Sequence, residues 1–165
     1  MIKYRDHAPA LKFGGKIMPE DLAGMVGQPV VGNIWYVDAV SGSDSANAGN
    51  SWDDAFKTLG QAYSSAVDNN YDVIVIAPSG SSATSEASSI TWAKNHITVV
   101  GATAPVSIGQ RARILFASTA TSPCLTISGY GNRFINVLIG TFENLNVLIS
   151  MISPVFLSFK DMLFL

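Results

Sequence analysis

Apolar residues run along this chain in two rhythms. Phe56, Leu59, Ala62, Tyr63, Ala66 and Val67 fall on one face at helical spacing, which predicts an amphipathic helix over about 51–68. Ser51 stands where an N-cap belongs, with its hydroxyl placed to accept from the Asp54 amide, and the Asp53 and Asp54 carboxylates suit the positive helix start. Asn69-Asn70 ends the segment. Elsewhere the apolar residues come in short runs, rich in β-branched side chains and bounded by Gly, Asn, Ser and Pro, as strands are. These runs are Ile34 to Val40, Val73 to Ile76, Ile97 to Val100, Ile114 to Phe116, Leu125 to Ile127, Phe134 to Ile139, Leu145 to Ile149 and Val155 to Phe159.

The spacing of the later runs predicts an architecture. Runs centred near 115, 136 and 157 lie about 21 residues apart, and those near 126 and 147 form a second series offset by about 11. Two interleaved columns of strands with one shared period are what a parallel β-solenoid requires, each coil stacking on the coil before it. Asn132, Asn136, Asn144 and Asn146, with Gly129, Gly131 and Gly140, supply its corners. The helix, with one apolar face, is expected to cap the open N-terminal end of that stack.

Composition narrows the picture. Of the 165 residues, 48% are hydrophobic, enough for a core, and only 13% are charged, about half the usual share, which suits a β-rich chain with uncharged polar turns. A net charge of -2 gives no electrostatic footprint for nucleic acid. The last 32 residues include 20 Phe, Ile, Leu, Val or Met, but polar residues interrupt them before any membrane-spanning length is reached. The single cysteine, Cys124, excludes an internal disulfide and reads as a small buried residue. The first residues carry charge and no continuous apolar stretch, so no secretory signal is expected.

Residues 1–28 differ from the rest, with four glycines, Lys3, Arg5, Lys12 and Lys16, and no self-contained core. They read as an extended arm, with a short helical turn after Pro19. Tyr4, Leu11, Phe13, Ile17, Leu22 and Met25 are its candidate anchoring residues. The loop SGSDSANAGNS invites a calcium reading through Asp38, Asp44 and Asp53, although the spacing is not that of an EF-hand and plain turn chemistry is the stronger reading. Phe156, Phe159 and Phe164 lie in an apolar tail whose exposure would invite association, so they are interface candidates.

The stretch YVDAVSGSDSANAGNSWDDAFKTLGQA resembles the lead-in to the first coil of right-handed parallel β-helix proteins of the pectate-lyase-like class. DVIVIAPSGSSATSEASSITWAKNHITVVGATAPVSIGQRARI is similar to bacteriophage virion proteins with the same lead-in, and the likeness spans roughly Gly32 to Ile139. It implies a mainly β fold: a short right-handed parallel β-helix with an N-terminal capping helix and an extended arm. On this reading residues 1–33 anchor the chain to the particle and 34–165 form a truncated β-helix that ends about one coil after GNRFINVLIG. The implied role is a virion structural protein, made in the host cytoplasm, as capsid decoration or head fibre. The alternative is the base of a tail spike or fibre of a glycan-binding or glycan-degrading protein. The expected partners are major capsid or tail proteins and further copies of the chain, a homotrimer by analogy, with a host glycan in the alternative and neither nucleic acid nor membrane.

Lyase-like folds do not confer lyase chemistry. Catalysis along stacked coils needs neighbouring carboxylates. Beyond the lead-in the acids are Glu86, Glu143 and Asp161, none a coil apart from another, and His7 and His96 are isolated in sequence. Arg111 and Arg113 fall on one face of the Ile114 strand if it begins there, as interface or solvent residues. No catalytic residue and no cofactor is expected.

Overall fold

The computed structural model describes residues 32–78, 84–103, 112–117, 120, 123–141, 149–151, 157–160 and 163–164; for Thr84, Ser85, Thr141 and the residues after it, the backbone alone is described. Twelve strands are present among these residues: β1 (Ile34–Val37), β2 (Val73–Ile76), β3 (Thr84–Glu86), β4 (Ile90–Trp92), β5 (Thr98–Gly101), β6 (Arg113–Phe116), β7 (Leu125–Ile127), β8 (Asn132–Ile135), β9 (Leu138–Thr141), β10 (Ile149–Met151), β11 (Leu157–Lys160) and β12 (Leu163–Phe164). One α-helix, α1 (Leu59–Ser65), lies between β1 and β2.

The strands form three wholly parallel sheets. The first runs β1-β2-β5-β8-β11, the second β3-β6-β9-β12 and the third β4-β7-β10. From β2 onward the chain visits first, second and third sheet in fixed rotation. The expected two columns of strands are therefore three. The 21-residue period is also corrected: Val73 stands opposite Thr98, 25 residues on, and Thr98 opposite Arg133, 35 on.

Two features of the sequence explain that difference. The run Phe134 to Ile139 looks like one strand but contains a corner, because Asn136 adopts a left-handed φ of 54° between β8 and β9. The three-residue strands β3 and β4, TSE and ITW, lack the apolar contrast that would announce them.

Within the stack the same inward position repeats. Ile74 pairs Val99 and Val99 pairs Phe134 in the first sheet, Ile114 pairs Ile139 in the second, and Trp92 pairs Ile127 in the third. All are fully buried in one cluster. Each such side chain contributes about 1.5–3 kcal/mol of burial. Alternate residues of the first sheet build a second cluster on its outer face: Tyr36, Val73, Val75, Val100 and Ile135, with Ala55.

The helix expected over 51–68 resolves into two pieces. Trp52–Asp54 is a 3₁₀ turn, and α1 begins only at Leu59. Between them Phe56 is drawn to the edge of β1: its amide donates to the Tyr36 carbonyl and its carbonyl accepts from Asp38, at 2.9 and 2.8 Å. That extended segment interrupts the helix. Ser51 makes no side-chain cap; Thr58 caps instead, accepting from the Gln61 amide at 3.2 Å. α1 packs on β1, β2 and β3, and Tyr63 stacks on Trp92 of β4 at 4.3 Å. Since β1, β3 and β4 are the outermost strands at that end of their sheets, α1 lies across the edges of all three. Leu59, Ala62 and Ala66 project into the inner cluster.

Candidate functional site

Three polar constellations stand at the end covered by α1 and along one corner of the stack. The first holds α1 at both ends. Asp44 Oδ1 accepts from the Lys57 and Thr58 amides at 2.8 and 3.0 Å, and its Oδ2 from the Thr58 hydroxyl at 2.9 Å. Glu86, from β3, accepts from the Leu59 amide through Oε1 at 2.7 Å and from Gly60 through Oε2 at 3.2 Å. The open amides of the first turn are thereby occupied by two carboxylates and a hydroxyl. At the other end Lys94 Nζ donates to the carbonyls of Tyr63, Ser64 and Ala66 at 2.7, 2.9 and 2.7 Å, and lies 4.8 Å from the Tyr63 ring centre. Tyr63 in turn accepts through its hydroxyl from the Ala93 and Lys94 amides.

The electrostatics follow the burial. Burial, with a smaller push from the Asp44 charge, raises Glu86 to about 7 against the pull of its two amide donors. Burial holds Lys94 below the ordinary lysine value, while Asp68 and Asp72 pull it back up.

The second constellation centres on Asp72, which has no exposed surface. Its carboxylate accepts from the amides of Asn33 (2.7 Å) and Val67 (2.8 Å), the Trp35 indole (3.0 Å) and the Asn70 side chain (2.7 Å). Burial works to raise its pKa, but the four donors together bring it below the ordinary aspartate value. The device recurs along the stack: Asn132 Oδ1 accepts from the Ile97 amide at 3.0 Å, as Asp72 Oδ1 accepts from Asn33.

The third is a ladder of rings at the same corner. Tyr71, His96 and Gly131 each stand two residues before mutually paired positions of β2, β5 and β8, and all three are left-handed, with φ of 58°, 56° and 67°. Tyr71 stacks on His96 at 4.9 Å, and His96 meets Tyr130 edge-on at 5.1 Å. A Cβ at Gly131 would run into the His96 ring, so the third corner needs glycine. Tyr71 and Tyr130 are about half exposed, 53% and 49%.

The residues singled out from sequence fall unevenly. Asp38 turns its carboxylate on the Val40 and Ser41 amides of its own loop, and Asp44 is committed to α1. Among the described residues no three of His, Cys, Asp and Glu, Asp53 included, gather as a metal would need. Cys124 is buried, and burial raises its thiol pKa. Arg113 opens β6. Tyr4, Leu11, Phe13, Ile17, Leu22, Met25, Phe156, His7, Arg111, Glu143 and Asp161 lie outside the described residues, while Phe159 and Phe164 belong to β11 and β12.

His96, isolated in sequence, is the middle ring of the ladder. Glu86, Asp72 and Lys94 were not legible as a set, because their partners are mostly backbone groups distant in sequence. The one available signal was the 25-residue spacing of Tyr71 and His96. No helix among the described residues is long and apolar enough to cross a membrane. Compared with protein-family models, curated proteins and solved structures, the chain finds no match.

Proposed function

We propose that this chain is a structural protein of a bacteriophage virion: a short right-handed parallel β-helix, attached to the particle by its N-terminal residues as capsid decoration or head fibre. The observation that carries the scaffold reading is the fixed rotation through three parallel sheets, with paired positions handed from strand to strand. A stack of that kind, its near edges covered by α1, suits a rigid spacer rather than a machine that moves. The phage setting rests on the resemblance of residues 32–139 to virion proteins of that build. Major capsid or tail proteins are the proposed partners, in a homotrimer, and the reading gives the chain no catalytic role.

Antibody against the chain, bound to purified particles and viewed by electron microscopy, tests the placement. Label on heads is expected; its absence from every particle carrying the gene would end the virion reading. Trimer stoichiometry is checked by light scattering of the isolated protein.

The ring ladder favours a second reading, the base of a tail spike or fibre that meets host glycan. Half-exposed Tyr71 and Tyr130 offer aromatic surface suited to sugar C–H groups, beside the polar Asn70 and Asn95. Label on tails, together with saturation-transfer signals from bacterial polysaccharide that vanish in Tyr71→Ala, would favour it over the first.

A further inference from the structure

The corner that bears the ring ladder also carries most of the exposed apolar surface. Val67, Tyr71 and Tyr130 are three of the four large apolar side chains that stand exposed among the described residues, the fourth being Val40. Singly such residues need no explanation, but three at one corner do. Val67 belongs with the rings because its carbonyl accepts from the Asn70 amide at 3.3 Å and its own amide donates to Asp72, the residue after Tyr71. The corner is held from behind. Asn95 Oδ1 accepts from the Tyr130 amide at 2.9 Å, the His96 amide donates to the Tyr130 carbonyl at 3.0 Å, and Asn132 bonds both the Ile97 amide and the Lys94 carbonyl. Rings fixed in this way lose little freedom when a ligand settles on them.

The unused polar groups beside the rings set the chemistry of that ligand. Asn70 spends its amide nitrogen on Asp72, and Asp68 accepts from Asn95 through Oδ1. Among the described residues Asn70 Oδ1, Asp68 Oδ2, the Tyr71 and Tyr130 hydroxyls and the His96 ring nitrogens have no hydrogen-bond partner. Such groups accept from hydroxyls or exchange hydrogen bonds with them. Cations are scarce there: Lys94 commits all three donors to the carbonyls of α1, and Arg133, two residues past Gly131, has its Nη1 buried. The exposed charge beside Asn95 and His96 is the Asp68 carboxylate, which repels a second carboxylate.

We propose that this corner binds an uncharged, hydroxyl-rich polysaccharide, laid along the stack so that sugar rings rest on both Tyr71 and Tyr130. Tyr71 precedes β2 and Tyr130 precedes β8, two strand spacings apart, about 10 Å. A ligand touching both is a chain, not a single sugar. Its C–H faces meet the aromatic rings while its hydroxyls donate to Asp68 Oδ2 and Asn70 Oδ1. This rests on the reading in which the ladder meets host glycan, and narrows that glycan to hexose polymers without carboxylate, sulfate or phosphate.

The test is equilibrium binding of the full chain to beads coated with dextran, mannan or galactan, each beside its carboxymethylated form, at physiological salt. At least one neutral polymer is expected to retain the protein, and its carboxymethylated form to bind at least about tenfold more weakly. Tyr71→Ala and Tyr130→Ala should each weaken retention about tenfold, and Asp68→Asn should bring the carboxymethylated polymer to within about twofold of the neutral one. Tyr71→Asn, which suits a φ of 58°, replaces Tyr71→Ala should that variant misfold. Tighter binding of a carboxymethylated polymer would overturn the proposal and leave the glycan reading standing, whereas retention on no polymer of either kind would end both. Binding that survives in both tyrosine variants, or retention on poly-L-proline and on none of the glycans, would also overturn it, the first by moving the sugar elsewhere and the second by making the partner a peptide.

Discussion

Asp72 and Glu86 are both carboxylates with almost no exposure, and their acidities move in opposite directions. Burial is the largest influence on each and pushes both up. What separates them is the company. Asp72 accepts from two backbone amides, an indole and a side-chain amide, enough to make its charge the favoured form. Glu86 accepts from two amides, one of them at 3.2 Å, and shares the helix start with Asp44. One carboxylate is thus a fixed structural charge of the stack, and the other is poised near neutrality. A buried acid is stabilised as an anion by the number of donors aimed at it, not by proximity to a helix start.

The largest effects come from overloading or emptying these two sites. Leu59→Asp sets a third carboxylate beside Glu86 and Asp44 at a fully buried position. Lost packing and a buried charge together should remove about 5 kcal/mol, read by urea denaturation. Asp72→Ala leaves four donors without their acceptor and should cost about 3–4 kcal/mol in the same measurement. If Asp72→Ala is no worse than an ordinary surface change, donor number is not what distinguishes the two sites.

The sequence carried the apolar strands well and the polar sites poorly, for a physical reason. Val73 to Ile76 and Leu125 to Ile127 were legible because burial writes itself into residue type. The three-sheet rotation was not, because Asn136 hides a corner inside an apolar run and β3 offers Thr, Ser and Glu. The inward set of Phe56, Leu59 and Tyr63 was legible from spacing alone, whereas the break at Phe56 was not, since it follows from pairing with Val37, 19 residues earlier. Asp72 stands directly before the apolar run Val73 to Ile76, but its four donors come from residues 33, 35, 67 and 70, which only the fold assembles.

The opposed shifts give stability a pH optimum. Asp72, depressed in the folded state, contributes stability that is present above about pH 4 and lost as pH falls through its lower folded value. Glu86, raised from 4.5 to about 7, favours folding when protonated; that contribution is full below pH 4.5 and is lost as pH rises through about 7. The second loss amounts to about 3 kcal/mol at most. Glu86→Gln keeps an acceptor for the helix amides and cannot ionise, so thermal melts should lose the decline between pH 5 and 8, with a net gain of about 1–2 kcal/mol at pH 8. A decline of unchanged size in the variant would assign it to another group.

The smallest effect belongs to the opposite end of α1. Lys94 brings one ammonium to three carbonyls at the helix terminus, so its three donors are fully used and the dipole there favours its charge. Burial works against that charge, as it does for Glu86, while Asp68 and Asp72 support it. Lys94→Met keeps the length and packing of the stem over Tyr63 and removes only the charged head. The carbonyls it leaves are near enough to solvent to find water, so the loss should be about 1–2 kcal/mol, below that of Asp72→Ala. Because the ammonium bonds α1 and not the sheets, the effect should be local: hydrogen exchange is expected to quicken at the amides of Ala62 and Ala66, with β5 and β8 unchanged. Equal loosening of the sheets in Lys94→Met would show instead that the lysine holds the whole stack, and that α1 is not a separately secured cover.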